Sequence, residues 1–290
     1  MTVTRRRVTI DRHDDGTTAW ELARGAPGPS LAGNVLRYCG YEERSATPVQ
    51  RREVPHGGVV LILSFGDPID VVTERGTDPR PQRLRSFLAG LHDAPVVTAY
   101  QGAQHGVQVD LTPLGAYRLF GLPLREVANQ AVELDAVRGR QIERLIDKLA
   151  SEPGGWAARF EIVDRVLREW LADGPDPDRS VAWAWHQLER SHGGVAVADL
   201  AEEIGWSRRH LAARFREQIG LAPKPTGRVL RFRRAVDLLG AESCPTIADV
   251  AAVAGYADHS HLVREFRALA GCAPSELVAA RMPDGGGVTA

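Results

Sequence analysis

Two stretches in the last third of this 290-residue chain share one grammar, and that repeat constrains the fold more than any other feature. Asp199-Leu-Ala-Glu-Glu-Ile-Gly-Trp206 aligns with Asp249-Val-Ala-Ala-Val-Ala-Gly-Tyr256, so that Asp, Ala, Gly and an aromatic recur at an offset of 50. Past the aromatic the offset becomes 51 and pairs Ser207 with Asp258, Leu211 with Leu262, Phe215 with Phe266, Gly220 with Gly271 and Pro223 with Pro274. Apolar, small, turn and cap residues in the same order twice mean one supersecondary unit built twice. In each copy a short helix buries Leu200 and Ile204, or Val250 and Ala254, and Ala201 or Ala251 allows close approach of a neighbour. Gly205 or Gly255 suits a tight turn with positive φ. Ser207 or Asp258 caps the next helix, which Leu211 and Phe215, or Leu262 and Phe266, anchor at i, i+4.

The anchors leave one face of each second helix free. In the first unit that face and its cap present Ser207, Arg208, Arg209, Ala212, Ala213 and Arg216; in the second, His259, Ser260, His261, Val263 and Arg264. In a helix-turn-helix this face enters the DNA major groove, where Arg reads guanine bidentately and His or Ser bonds base edges or phosphates. Charge agrees with that reading. Between Gly205 and Arg234 there are nine basic residues against Glu217 as the one acid, a local +8 in a chain of net charge −1. The overall balance therefore excludes a uniformly basic surface but not a basic patch.

Over about 180–281 the chain resembles the AraC/XylS-type bacterial transcriptional regulators. The resemblance rests on Gly-Leu-Ala-Pro-Lys224, on Arg231-Phe-Arg-Arg-Ala-Val-Asp-Leu-Leu239, and on Ile247-Ala-Asp-Val-Ala-x-x-Ala-Gly-Tyr-x-Asp-x-Ser-His-Leu-x-Arg-x-Phe266. It implies two subdomains joined by a linking helix, with recognition helices in successive major grooves of double-stranded DNA. Arg209, Ala212 and Ala213, and in the second unit His259, Ser260, His261, Val263 and Arg264, fall on the base-facing positions. Where the family often carries Arg two residues before the first Phe, this chain has Ala213, and Arg214 sits one step along, placed for a phosphate or for no contact. Pro225 is expected to move the start of the linking helix to Thr226.

Residues 31–111 read differently. Short apolar or alternating runs (Val35–Tyr38, Val59–Ser64, Ile69–Thr73, Arg83–Leu88, Pro95–Tyr100, Gly106–Leu111) are separated by Gly, Pro and Asp turns, which predicts an antiparallel sandwich or barrel. Thr112-Pro113 opens a helix that Gly121 closes. Amphipathic stripes follow, Ile142, Leu145, Ile146 and Leu149 in one helix and Phe160, Val163, Leu167 and Trp170 in the next; they read as core or as a dimer seam. The polar, Pro-rich Asp173–Asp178 is the clearest boundary. More loosely, this region resembles the family's sensor domains, which implies a cupin-like β domain that binds a small effector and dimerises through the helices after it.

The expected architecture is thus α+β and two-domain: an N-terminal extension over 1–30, an antiparallel, cupin-like β domain with two helices over 31–172, a linker over 173–179, an all-α tandem helix-turn-helix over 180–282, and a disordered tail over 283–290. The expected protein is a cytoplasmic, homodimeric, effector-controlled DNA-binding regulator with a bipartite site, not an enzyme, with no cofactor and no membrane span. No apolar stretch follows Arg5–Arg7, so no signal peptide is expected. Cys39, Cys244 and Cys272 have no metal-type spacing, and a disulfide-free chain is expected. The rival is a metal-dependent, cupin-like sensor or enzyme fused to a DNA-binding domain. Against it, His56, His92 and His105 are scattered, without a His-x-His pair, and no metal site is expected. The effector residues stay open: Arg37, Tyr38, Tyr41, Phe65 and Tyr100 either line a pocket or fill a core.

Overall fold

Two long strands organise the N-terminal part. In the computed structural model, which describes residues 8–73, 80–241, 246–280 and 288–289, β3 (Val35–Glu53) pairs antiparallel with β8 (Val96–Leu111) along most of their length. The predicted runs Pro95–Tyr100 and Gly106–Leu111 are two ends of β8, and Val35–Tyr38 is the start of β3. β4 (Val59–Ser64) and β5 (Ile69–Thr73) lie on β8, β6 (Gln82–Leu84) on β5, and β7 (Phe87–Ala89) on β4, with β9 (Ala131–Glu133) beyond it. All pairings are antiparallel, as the alternating runs require.

The sheet begins earlier than expected. β1 (Val8–Asp14) and β2 (Thr18–Gly25) form a hairpin that extends it past β3, so residues 8–25 are sheet rather than an extension. β1 is an edge strand exposed over nearly its whole length, and its polar sequence hides the pairing. Asp14 and Asp15 build the turn by accepting from the backbone N–H groups of Gly16, Thr17 and Thr18.

Strand alternation gives the sheet two working faces. On one, Tyr38, Leu61, Leu63, Val107 and Val109 are fully buried against α4 (Gly155–Ala172) and its neighbours. Tyr38 stacks on Phe160 at 5.4 Å and donates to Asp164 at 2.6 Å; it is core. Gly40 lies under Trp156, where any side chain would overlap the indole ring. The stripes of α3 (Gln141–Ala150) and α4 bury Ile142, Leu145, Leu149, Phe160, Val163, Leu167 and Trp170 within this one chain. They are core, not a dimer seam.

α1 (Pro113–Phe120) starts at Thr112, whose hydroxyl accepts from Gly115 at 3.0 Å, and ends at Gly121. A short α2 (Leu134–Arg138) precedes α3. The rest is helical: α5 (Arg179–Arg190), α6 (Val197–Ile204), α7 (Arg208–Ile219), α8 (Pro223–Leu239), α9 (Ile247–Val253), α10 (His259–Ala270) and α11 (Pro274–Ala279). α8 starts at Pro223, not Thr226: both prolines sit in its first turn, where their missing N–H groups had no helical partner.

The boundary segment is packed. The Asp178 carboxylate caps α5, its backbone N–H donates to the buried Gln218 at 2.9 Å, and Asp176 pairs with Arg118 at 3.4 Å. Across this boundary α7 packs on α1 and on a turn at Leu124–Glu126, with Gly220 against Leu124. Arg233 of α8 donates to the His56 carbonyl at 3.3 Å, Leu230 packs on Gly57, and the Arg52 guanidinium lies beside Gly271. At the far end Val288–Thr289 pairs with β3 at Arg51–Arg52 as a two-residue β10, where a disordered tail was expected; 281–287 and 290 lie outside the described residues, as does Cys244.

Candidate nucleic-acid interface and effector cavity

The two repeats fold as the same unit. In the first, α6 ends at Gly205 with φ 74°, and Trp206 donates its backbone N–H to Ala201 at 2.9 Å. In the second, Gly255 has φ 79° and Tyr256 donates to Ala251 at 2.8 Å. Ser207 caps α7 by accepting from His210 at 3.2 Å, and Asp258 caps α10 by accepting from His261 at 2.7 Å. Leu211, Phe215, Leu262 and Phe266 are fully buried, and Phe266 meets Phe232 of α8 edge to face at 4.8 Å. α8 thus carries both units, and Arg228 grips Glu265 of α10 with two nitrogens at 2.9 and 3.0 Å.

The outward faces hold the expected residues. Ser207, Arg208, Arg209, Ala213 and Arg216 are exposed on α7 and its cap, with Ala212 half-buried. On α10, His259, Ser260 and Arg264 are exposed, while His261 and Val263 are half-buried. His261 packs edge-on against Tyr256 at 5.3 Å and accepts from the Ala257 N–H at 3.3 Å, which fixes its ring. The partner position in α7 is His210, whose ring meets Trp206 at 4.5 Å. His210 is exposed beside Arg209 and is absent from the expected face, although the offset of 51 that maps it onto His261 marks it.

Part of the basic patch has structural work. Arg214 pairs with Glu217 at 2.7 Å and reaches Asp178 at 3.7 Å, which accounts for its place one step off the recognition face. Arg228, Arg231 and Arg233 bond Glu265, the Gly193 carbonyl and the His56 carbonyl. The glutamate bond holds the Arg228 guanidinium above its usual range. Arg208, Arg209 and Arg216 remain outward on one helix.

The sheet's second face encloses a cavity of about 530 Å³, the size of a small-molecule site. Arg37, Cys39, Tyr41 and Glu43 line it from β3, Val60 and Ile62 from β4, Phe87 and Ala89 from β7, and Thr98, Tyr100 and Gln108 from β8. Of the residues left open by sequence, Arg37, Tyr41 and Tyr100 line it, whereas Tyr38 and Phe65 do not. Asp110, nearly buried, holds Arg37 and accepts from Gln108 at 2.7 Å. Glu43 accepts from Arg51 at 2.7 Å and Tyr100 at 2.5 Å. Burial pushes the Cys39 thiol up to about 11, so it is a protonated wall group. The three histidines divide: His105 packs between Phe65 and Trp156, while His56 and His92 both line the cavity. Among the described residues no three His, Cys, Asp or Glu side chains converge as a metal set. No described helix is long and apolar enough to cross a membrane.

Comparison with known proteins matches each part separately. Residues 200–280 match the family described as a helix-turn-helix domain, and residues 23–133 match a domain of unknown function, DUF6597. An uncharacterised helix-turn-helix-type transcriptional regulator of Bacillus subtilis, YbfI, is 31% identical over 109 residues, which is 36% of this chain and 39% of that one. The chain thus matches about two fifths of the length of that curated relative. Among solved structures, ToxT from Vibrio cholerae is 12% identical with a TM-score of 0.48 over 83% of this chain and 97% of its own. The AraC-like transcriptional activator CuxR is 13% identical with a TM-score of 0.34 over 83% and 89%. The C-terminal match is thus to a helix-turn-helix domain of the AraC type, over residues 200–280, which hold both repeats but for their first residues.

Proposed function

We propose that this chain is a cytoplasmic bacterial transcriptional regulator that reads a bipartite site on double-stranded DNA with α7 and α10, under control of a small molecule held in the β cavity. The observation that carries the reading is the pair of matched, capped helices, both anchored on α8 with their outward faces exposed. In the first unit Arg208 and Arg209 read bases, Ala212 and Ala213 allow close approach, and Ser207 and Arg216 meet phosphates. In the second, His259, Ser260, His261, Val263 and Arg264 serve a half-site roughly one helical turn away. Residues 8–172 act as sensor and 180–282 as reader, with 173–179 between them. The protein acts as a homodimer, and because the α3 and α4 stripes are buried, its contact lies elsewhere; β1, which is an edge strand among the described residues and exposes Ile10, is the candidate.

The test is a mobility-shift titration and footprint on the region upstream of the gene, over a range of salt. Binding is expected to be sequence-specific and to weaken steeply with salt. Arg209→Ala is expected to cost about 1–3 kcal/mol and relax protection over one half-site, and Arg264→Ala to act on the other half. Loss of the same bases by both variants overturns the bipartite reading, and no specific binding at moderate salt overturns the regulator.

A further inference from the structure

The polar groups at one end of the cavity are arranged for a particular kind of ligand. His92 places Nδ1 2.7 Å from the Gly90 carbonyl, so Nδ1 carries the proton and donates it. Its other nitrogen, Nε2, is buried with no hydrogen-bond partner among the described residues. Burial holds the ring down at about 4, so at neutral pH Nε2 is a bare acceptor. A buried acceptor with no donor is unfavourable until one arrives. His56 has the opposite tautomer: its Nδ1 accepts from Gly58 N–H at 3.0 Å, which leaves a proton on Nε2. Both rings line the cavity.

The remaining walls favour no net charge. Arg37 is held by Asp110, Arg51 by Glu43 and Arg24 by Asp11, and the two further charged groups of the lining, Glu53 and Arg85, are opposite in sign. Arg85 is exposed, where water screens it. Past Gly58, Val60 and Ile62 are alternate residues of one face of β4, paired across to Ala89 and Phe87, so an apolar wall runs outward from the histidine end.

We propose that this cavity takes an uncharged ligand with an apolar, ring-sized body and one hydroxyl, which donates to His92 Nε2 and accepts from His56 Nε2, the body lying along Val60, Ile62 and Phe87. The inference rests on the effector reading and names its ligand class. A carboxylate suits this end poorly, because it would meet the bare acceptor of His92 with another acceptor. An alkane of the same shape would leave that acceptor unpaired.

Calorimetric titration of the full chain at pH 7.5 with 4-ethylphenol, ethylbenzene and 4-ethylbenzoate tests this. The phenol is expected to bind about tenfold more tightly than ethylbenzene, the worth of one net hydrogen bond. His92→Phe is expected to erase that preference and His92→Gln, which keeps an acceptor, to retain part of it, with thermal melts reporting the folding of both. Tightest binding by the benzoate, equal binding by phenol and ethylbenzene, or a preference untouched in a folded His92→Phe each overturns the ligand class while leaving the cavity an effector site. Binding by none of the three overturns the class as well. The effector reading itself fails separately, if filling the cavity with Ala89→Trp leaves the DNA affinity of a folded protein unchanged with and without cell extract.

Discussion

The two helix-turn-helix units share turn, cap and anchor geometry but differ in what holds them. The first is built into the rest of the chain: the C-terminal end of α7 packs on α1 and the turn at Leu124–Glu126, and Gln218 accepts from Asp178. The second hangs from α8 through Phe266 on Phe232 and Glu265 on Arg228, with Arg52 beside Gly271 and the two-residue β10 past α11 as lighter contacts to β3. Identical local grammar can therefore serve a fixed unit and a suspended one. The difference lies in the partners each unit meets outside the repeat: α1, the Leu124–Glu126 turn and Asp178 for the first, α8 and Arg52 for the second.

The largest expected effect comes from emptying the anchors. Phe215→Ala and Phe266→Ala each remove a fully buried ring, at about 3–5 kcal/mol. Hydrogen exchange read by mass spectrometry should separate them: Phe215→Ala lowers protection in α1 as well as α7, whereas Phe266→Ala lowers it in α9–α11 and leaves α1 unchanged. Equal loss in α1 for both variants breaks the contrast. Next, Glu265→Gln weakens the fork from Arg228, at about 1.5–3 kcal/mol of stability, and should blur the footprint of the α10 half-site while sparing the α7 half. Uniform weakening of both halves would mean that the second unit is not suspended independently. The smallest effects are at the caps. Ser207→Ala and Asp258→Ala should each cost about 1 kcal/mol in a denaturant titration, and near-equality of the two would sharpen the point that the units match locally.

The parts legible in the sequence were those set by contacts within a few residues. Gly205 and Gly255, Ser207 and Asp258, and the i, i+4 anchors all act locally, so their order in the chain displays the unit. β4 and β5 were legible to the residue because Gly, Pro and Asp bound them. The hairpin over 8–25 was not, since an exposed edge strand carries few apolar residues to alternate. The cavity was half legible. Arg37, Tyr41 and Tyr100 were in view, but His56 and His92 are 36 positions apart and meet only because β4 pairs with β7. The packing of Asp173–Asp178 was hidden for the same reason: Gln218 and Arg118, the partners of Asp178 and Asp176, lie in other elements.

One short stretch has two neighbours at once. Between Arg51 and Gly58, side chains of Arg51, Glu53, Val54, Pro55 and His56 line the cavity, while Arg52, the His56 carbonyl and Gly57 touch α10's end and α8. A ligand that shifts this stretch does work on the helix that spaces the two readers. In the proposed regulator thermodynamic reciprocity also holds in reverse: DNA that fixes that spacing changes the grip on the ligand by the same factor. The protein's occupancy by small molecule would in that case differ between its free and its promoter-bound copies in one and the same cell.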